Sequence, residues 1–330
     1  MTDIQERKEA GESGIIVGGV GGLYSVRLDK HPDEITFCRA KGSFRHKDVT
    51  PLVGDRVLVN TSASAAAELP AEEKRSKKGE QVETGGVICE ILDRKNALIR
   101  PPMANLDYIF VTMASASPEP ILHTVDKLCC IAEFGGITPV IVVGKCELDA
   151  EKAESIRKIY ESAGYRVFVL SCYTGKGIDE LRDFVNETLP SHIAAFAGAS
   201  GVGKSSLMNL LFPDLGLEVS DISRKIERGR HTTRRVDLFP AYGGYIADTP
   251  GFSMLDFERF DFFGKDDLAA TFREFRALLG ECRYTKCTHT KEDGCAIIEA
   301  VRDGRIAESR HASYVELFEI LKKKKAWDKK

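Results

Sequence analysis

Two rhythms of apolar and polar positions divide the chain. From Gly14 to about Pro102, short alternating runs such as Tyr24–Leu28, Glu34–Cys38 and Arg56–Val59 are broken by glycine-containing turns. Short strands at that spacing predict a small barrel or sandwich. Within this region Thr61–Glu83 is poor in apolar residues and rich in Ala, Glu and Lys, which reads as a solvated insertion between two strands. From about Asn105 to Asp261 the runs become almost continuously apolar: Tyr108–Met113, Thr138–Val143 and Arg166–Leu170. Amphipathic segments such as Ala153–Ala163 bracket them, as expected of buried parallel strands alternating with helices in a doubly wound α/β domain. From Phe262 to Lys330 helical patterns surround a cysteine cluster and end in Lys322–Lys325, and no internal repeat is present. The expected division is therefore 1–104, 105–261 and 262–330.

Composition narrows the function classes. The 330 residues are 43% apolar and 29% charged, with a formal net charge of −3, so nucleic-acid binding has to come from local patches rather than bulk charge. The polar stretch Met1–Ser13 has no apolar core of a secretory signal, and the run Ile137–Val143 is too short to span a bilayer. A cytoplasmic location without membrane attachment, and a monomeric state, are the expectation. Nine cysteines, an odd number, argue against a disulfide framework. Cys38, Cys89, Cys129, Cys130, Cys146 and Cys172 lie in or beside apolar runs and read as small core side chains.

The sharpest chemical signal is Gly198-Ala199-Ser200-Gly201-Val202-Gly203-Lys204-Ser205, followed by Ser206. It fits G-x-x-x-x-G-K-[ST], with an apolar strand Ile193–Ala197 before it and a helical pattern Ser206–Leu211 after it. Glycines let the backbone curl so that N–H groups face phosphate oxygens, and the following helix adds its positive end. Lys204 is the expected partner of the β- and γ-phosphates and Ser205 of Mg²⁺. Downstream, Tyr245–Ala247 reads as a strand ending in Asp248-Thr249-Pro250-Gly251, a D-x-x-G sequence in which Asp248 serves the metal and Gly251 the γ-phosphate. Between these motifs lies Arg228–Arg235, where Thr232 or Thr233 is a candidate sensor of Mg²⁺ and the γ-phosphate; a solvated basic loop is the other reading of the same residues.

Chain order is informative. Val142-Val143 leads into Gly144-Lys145-Cys146-Glu147, where a GTPase carries N-K-x-D. Leu170 leads into Ser171-Cys172-Tyr173, which is similar to the S-A-x element that backs the guanine O6. Both base-reading elements precede the phosphate loop, which makes the core a circularly permuted P-loop GTPase. The chain resembles the ribosome small-subunit-dependent GTPase A family over nearly its whole length, through Arg100-Pro101-Pro102, Asn105-Leu106-Asp107, Gly229–Thr233, Asp248–Phe252 and the cysteine cluster. The resemblance implies a multidomain α/β protein: an all-β OB-fold N-terminal domain that binds RNA, the permuted GTPase, and a small α-helical zinc-binding C-terminal domain.

Two departures from the family pattern carry consequences. Glu147 stands where aspartate accepts two hydrogen bonds from the guanine edge, and Gly144 removes the asparagine amide. Lys145 keeps the alkyl stem that lies over the base. Guanine reading is then looser, since a lost buried polar contact costs about 1–3 kcal/mol. Phe252 follows the D-x-x-G sequence, where Ras-like enzymes carry a glutamine that orients water. The resemblance implies His231 as the group that enters the site instead, in a loop ordered by the ribosome; an RNA contact and a merely exposed side chain are the other readings of the same residue.

Cys282, Cys287, His289 and Cys295 supply soft or borderline donors in the pattern C-x4-C-x-H-x5-C. Four such ligands suit tetrahedral Zn²⁺ and leave no open position, so the metal, one per chain, is structural. Basic residues cluster in three places: Arg39, Lys41, Arg45 and Lys47 around Phe44 and His46; Arg224, Lys225, Arg228, Arg230, Arg234 and Arg235 beside the threonines; and the lysine tail. Basic residues interleaved with aromatics suit single-stranded RNA. The expected function is a GTPase that binds the small (30S) ribosomal subunit through its 16S rRNA and assists late maturation, with hydrolysis to GDP stimulated by the subunit and controlling release. The alternative is a nucleotide-gated or non-hydrolysing rRNA-binding scaffold.

Overall fold

A computed structural model describes residues 11–42, 44, 49–62, 85–99, 101–213, 236–248 and 263–323. Internal contacts divide the chain into two compact units, one of Met1–Leu106 with Arg230–Pro250, the other of Asp107–Gly229 with Gly251–Lys330.

The first unit is built on a closed five-stranded barrel. Strands β1 (Glu12–Val20), β2 (Leu23–Leu28), β3 (His31–Ala40), β4 (Arg56–Asn60) and β5 (Gly86–Ile91) close in the order β1-β2-β3-β5-β4. All neighbouring pairs are antiparallel except β3 with β5. Of the barrel and the sandwich that the alternating runs predict, this is the barrel, OB-like as the resemblance implies. Ile16, Val26, Cys38, Val57, Val59 and Ile88 fill it. Asp55, fully buried, is held by a bidentate pair from Arg94, Nε to Oδ1 at 2.7 Å and the second nitrogen to Oδ2 at 2.8 Å. A burial that would otherwise cost several kcal/mol is thereby compensated. A short hairpin, β6 (Ala97–Ile99) and β7 (Pro102–Ala104), leads to Asn105. Asn105 has φ 58° and donates through Nδ2 to Gly54 O at 2.9 Å, so this motif residue fastens the barrel to the end of its hairpin. A second hairpin, β12 (Asp237–Ala241) with β13 (Gly244–Asp248), belongs to the same unit.

The second unit opens with β8 (Tyr108–Ala114), α1 (Leu122–Phe134), β9 (Thr138–Gly144), α2 (Ala150–Ser162), β10 (Arg166–Val169), α3 (Ile178–Thr188), β11 (Ile193–Ala197) and α4 (Lys204–Leu211). Its strands are parallel in the order β10-β9-β8-β11. Helices cover their faces, so β8, β9 and β11 are buried almost throughout, as the continuous apolar runs predict. Asp107 sets the register of β8 with β11, its carboxylate accepting from Ile193 N at 2.9 Å. Asp149 caps α2 by accepting from Lys152 N at 2.9 Å.

The C-terminal residues form α5 (Leu268–Thr271), a 3₁₀ turn (Arg273–Leu278), α6 (Ala296–Arg302) and α7 (Glu308–Lys323). Arg310 of α7 is 1% exposed and pairs with Asp126 of α1 and, at 2.7 Å, with Glu274. Its guanidinium lies 4.7 Å from the Phe272 ring centre, and Tyr160 donates to the same Asp126 at 2.8 Å. Cys38, Cys129, Cys130 and Cys146 are buried as expected, whereas Cys89 and Cys172 are only half-buried. Among the described residues no helix is long and apolar enough to cross a membrane.

Candidate nucleotide site and metal centre

Because β8, β9, β10 and β11 are parallel, their carboxyl ends share one edge, which is where open α/β sheets place ligands. The candidate base- and phosphate-reading segments described within this unit all leave from that edge. The phosphate loop follows β11. Gly198 has φ 146°, and a Cβ there would lie 2.0 Å from Thr112 O, so only glycine can pass β8 at this point. Gly203, with φ 99°, precedes α4. The loop then closes on its own lysine: Lys204 Nζ donates to Gly198 O at 2.8 Å and to Ala199 O at 2.7 Å. The ammonium thus sits inside the curl, on the path that phosphate oxygens take in such loops. Ser205 and Ser206 are half-buried in the first turn of α4, while Ala199, Ser200 and Gly201 are exposed.

The two segments that the sequence marks as candidate base readers meet this loop. Lys145 is bound from both sides: its Nζ donates to Gly201 O at 2.7 Å and to Ser117 O, and its own carbonyl accepts from Ser115 Oγ at 2.8 Å. The Ser171 turn is closed by Gly175 N to Ser171 O at 2.9 Å and by Thr174 N to Ser171 Oγ at 3.0 Å. Cys146 N donates to Leu170 O at 3.2 Å, joining the two segments to each other. Between them lies a cavity of about 440 Å³, lined by Gly144, Lys145, Glu147, Leu148, Cys172 and Tyr173 on the base side and by Val202, Gly203 and Ser206 on the phosphate side. That volume suits a nucleotide-sized ligand.

Glu147 is exposed on the cavity rim, and Asp149, the other nearby carboxylate, is committed to its helix cap. The structure therefore selects Glu147 as the carboxylate facing the cavity. Burial pushes the Cys172 thiol up, and the Glu147 charge adds to that, so Cys172 is a neutral wall rather than a nucleophile. A Cβ added at Gly144 would meet Met113 O and Val202 O at an ordinary 3.5 Å, so the fold does not require glycine there.

Sequence reasoning did not single out Ser115 or Ser117, and it quoted Tyr173 only as the variable position of the Ser171-Cys172-Tyr173 element. The two serines follow directly on a buried strand, and that change from apolar to small polar residues was their only signal. His231, Thr232, Thr233, Gly251 and Phe252, with most of the Thr61–Glu83 insertion, the basic run around Arg224–Arg235, and Arg45, His46, Lys47 and Lys324–Lys330, lie outside the described residues. Asp248 ends β13, but its side chain is likewise outside them. In the barrel, Arg39 is 7% exposed rather than presented on the surface; it lines a groove of about 400 Å³ with Tyr24, Lys41 and Phe44.

The C-terminal cluster gathers as its spacing predicts. One donor atom from each of Cys282, Cys287, His289 and Cys295 lies within 4.8 Å of every other. Cys282 Sγ stands 3.4 Å from His289 Nδ1 and 3.8 Å from Cys295 Sγ, and His289 Nδ1 is 3.4 Å from Cys295 Sγ. A tetrahedron with zinc–sulfur arms of about 2.3 Å has edges of about 3.8 Å, so the donor set fits Zn²⁺. Burial pushes the Cys287 thiol up to about 12 and raises Cys295 as well, and a divalent cation reverses that preference by binding thiolates. Outer bonds hold the loop: His311 Nε2 donates to His289 O at 2.8 Å and Tyr314 OH to Thr288 O at 2.8 Å, both from α7. Burial raises the Glu292 carboxyl, but hydrogen bonds from Thr288 and Lys291 outweigh it and hold the group down at about 2.

Comparison with known proteins agrees with this geometry. The family model described as RsgA GTPase matches residues 91–258, and that described as RsgA N-terminal domain matches residues 13–67. The chain is 38% identical to the small ribosomal subunit biogenesis GTPase RsgA of Caldanaerobacter subterraneus subsp. tengcongensis, over 94% of this chain and 96% of the relative. It is also 38% identical to the protein of that name from Halalkalibacterium halodurans, over 94% and 97%. Among solved structures it is similar to YjeQ from Thermotoga maritima, with a TM-score of 0.75, 32% identity, and coverage of 95% of this chain and 99% of that one. It is likewise similar to YloQ, described as a circularly permuted GTPase, with a TM-score of 0.72, 30% identity, and coverage of 96% and 97%.

Proposed function

The chain belongs to the RsgA GTPase family and is a GTP hydrolase, and on that premise we propose that it binds the small ribosomal subunit and assists its late maturation, with nucleotide state controlling how long it stays. The nucleotide part of this reading is carried by the bridge from Lys145 to Gly201 O, which ties the base-side segment to the phosphate loop around one nucleotide-sized cavity, and the subunit part is supported by the relatives described as small ribosomal subunit biogenesis GTPases. Gly198–Ser206 hold the phosphates, and Lys204 neutralises charge on the β- and γ-groups. Ser205 and Asp248 would hold Mg²⁺, which supplies electrostatic stabilisation of the transferring phosphoryl group. Gly251 and one of Thr232 and Thr233 contact the γ-phosphate, and His231 acts on water where Phe252 cannot. Ser171 and Cys172 back the base, and Glu147 reads its edge.

The barrel groove with Arg39, Lys41, Tyr24 and Phe44 combines cationic and aromatic groups in the manner that suits 16S rRNA. The zinc loop is braced by His311 and Tyr314, so Zn²⁺ in the Cys₃His set fixes the C-terminal helices structurally. Hydrolysis of GTP and ATP, measured side by side with and without purified 30S subunits, tests the reading. Strong stimulation of GTP turnover is the expected result. Binding to 30S with no stimulation of either nucleotide would overturn the coupling of hydrolysis to the subunit.

A further inference from the structure

Tyr173 is the most exposed of the large apolar side chains among the described residues, at 89%, and it lines the cavity that Glu147 and Lys145 also face. Exposure by itself is ordinary for a single apolar side chain; what sets Tyr173 apart is its place on the cavity lining, where a π face is available to a planar ligand. Its backbone is not loose. The turn that carries it is closed on both sides, by Gly175 N on Ser171 O and by Thr174 N on the buried Ser171 Oγ. The segment therefore presents the ring from a fixed base at the mouth of the cavity.

The rest of the cavity lacks a way to grip a base by hydrogen bonds alone. Gly144 contributes no side chain, and Glu147 is one exposed carboxylate on a long arm. The Lys145 ammonium is drawn away to Gly201 O and Ser117 O, which leaves its methylenes to face the cavity. Cys172 is a neutral wall. A planar base entering here meets an aliphatic stem and an aromatic ring, and only one ionised acceptor.

We propose that Tyr173 is the stacking residue of this site: its ring closes over one face of the purine while the Lys145 stem supports the other, giving affinity common to all purines, and the edge is left to Glu147 and the Ser171-Cys172 turn. The inference rests on the nucleotide reading of the cavity. Stacking is indifferent to the identity of the base, because every purine has a π face. Discrimination between purines then rests on the edge contacts: Glu147 accepts from the N–H groups of guanine and hypoxanthine and finds no N1–H on adenine, and the Ser171-Cys172 turn backs an O6 that adenine lacks.

The test is the dissociation constant of GDP, IDP and ADP, each with magnesium, for the full chain and for Tyr173→Ala, Tyr173→Phe and Tyr173→Trp. Tyr173→Ala is expected to weaken all three by a common factor of about tenfold or more. Tyr173→Phe keeps the wild-type values, and Tyr173→Trp shows indole quenching on nucleotide addition beyond that of the wild type. If Tyr173→Ala leaves GDP within about twofold of wild type, or weakens one base alone, the stacking role is wrong while the nucleotide site stands. If the wild-type chain binds none of the three, and Lys204→Ala changes nothing, the nucleotide reading itself is wrong and takes the stacking role with it.

Discussion

The Nζ of Lys145 donates to the carbonyl oxygen of Gly201 at 2.7 Å, across 56 residues of sequence. One end of this bond belongs to the segment proposed to face the base, the other to the loop proposed to face the phosphates. The same nitrogen reaches Ser117 O, so three loops leaving the ends of β8, β9 and β11 are tied at one cation. A nucleotide spanning the cavity therefore meets a base site and a phosphate site whose separation is already set, which lowers the ordering cost of binding.

Removing that tie has a predicted cost. Lys145→Met keeps the stem and loses both donated bonds, each charge-assisted and worth about 1.5–3 kcal/mol. GDP affinity is expected to fall by about tenfold in Lys145→Met, and further in Lys145→Ala, where the stem is lost too. Equal affinity in wild type and both variants, read by equilibrium titration, would show that the bridge does not organise the site.

Base selectivity should be recoverable. The 3.5 Å spacing around a Cβ at Gly144 leaves room for a side chain between Met113 O and Val202 O, which an asparagine amide can engage as donor. Shortening the carboxylate arm by Glu147→Asp restores the length at which both oxygens face the guanine edge. The double variant Gly144→Asn with Glu147→Asp is expected to raise the ratio of GDP to ADP affinity by about tenfold or more. An unchanged ratio would mean that selectivity is set elsewhere.

The two glycines Gly198 and Gly203 separate conformational strain from collision. Both have positive φ, at 146° and 99°, but a Cβ at Gly203 meets nothing within 4 Å, whereas one at Gly198 meets Thr112 O at 2.0 Å. Gly203→Ala should cost about 1–2 kcal/mol of stability. Gly198→Ala should cost more, about 3 kcal/mol or above, because β8 or β11 has to shift as well. Denaturant unfolding of both variants checks the order; a Gly198→Ala no worse than Gly203→Ala would contradict the close passage.

Much of this arrangement was legible in the sequence because it is written in short-range patterns. The strand Ile193–Ala197 and its loop are contiguous, and their apolar run and glycines state both geometry and chemistry. The cluster from Cys282 to Cys295 is equally local, and its donors meet as spaced. What stayed hidden depends on distant partners. Lys145 was expected to lend a stem to the base, but its bonds to Ser117 and Gly201 depend on how three strand ends converge. Arg39 sits in a basic, aromatic stretch that reads as surface, yet it is buried on the face of β3 opposite the inward-facing Cys38, in the groove it lines with Tyr24 and Phe44. Asn105, quoted for its motif, proved to bind Gly54 O, a partner 51 positions away.

The buried ion pair of Arg310 was also invisible to local reading, and it predicts a large effect. Arg310→Met keeps the volume but leaves Asp126, which is fully buried, and Glu274 without their cation. Breaking a buried pair from one side costs about 3–5 kcal/mol, because the remaining charge has lost its compensation. Asp126→Asn should cost less, since Glu274 still faces Arg310 and the amide can accept from Tyr160. If the two variants unfold at the same denaturant concentration as wild type, the pair is not a fastening between α1 and α7.

Metal removal should act on the C-terminal helices first. The Cys₃His donors are braced through Thr288 O and His289 O to Tyr314 and His311, so loss of the ion releases the loop from α7 while the phosphate loop, fixed by β8 and β11, keeps its shape. Chelation of the native protein is expected to release one zinc per chain and to lower helical content, with GDP affinity within about twofold of the untreated protein. Cys295→Ser should reproduce the loss of helix without chelator. A chain that yields no zinc on acid release, or whose helical content is unchanged after complete chelation, would show that the four donors gather without a structural metal.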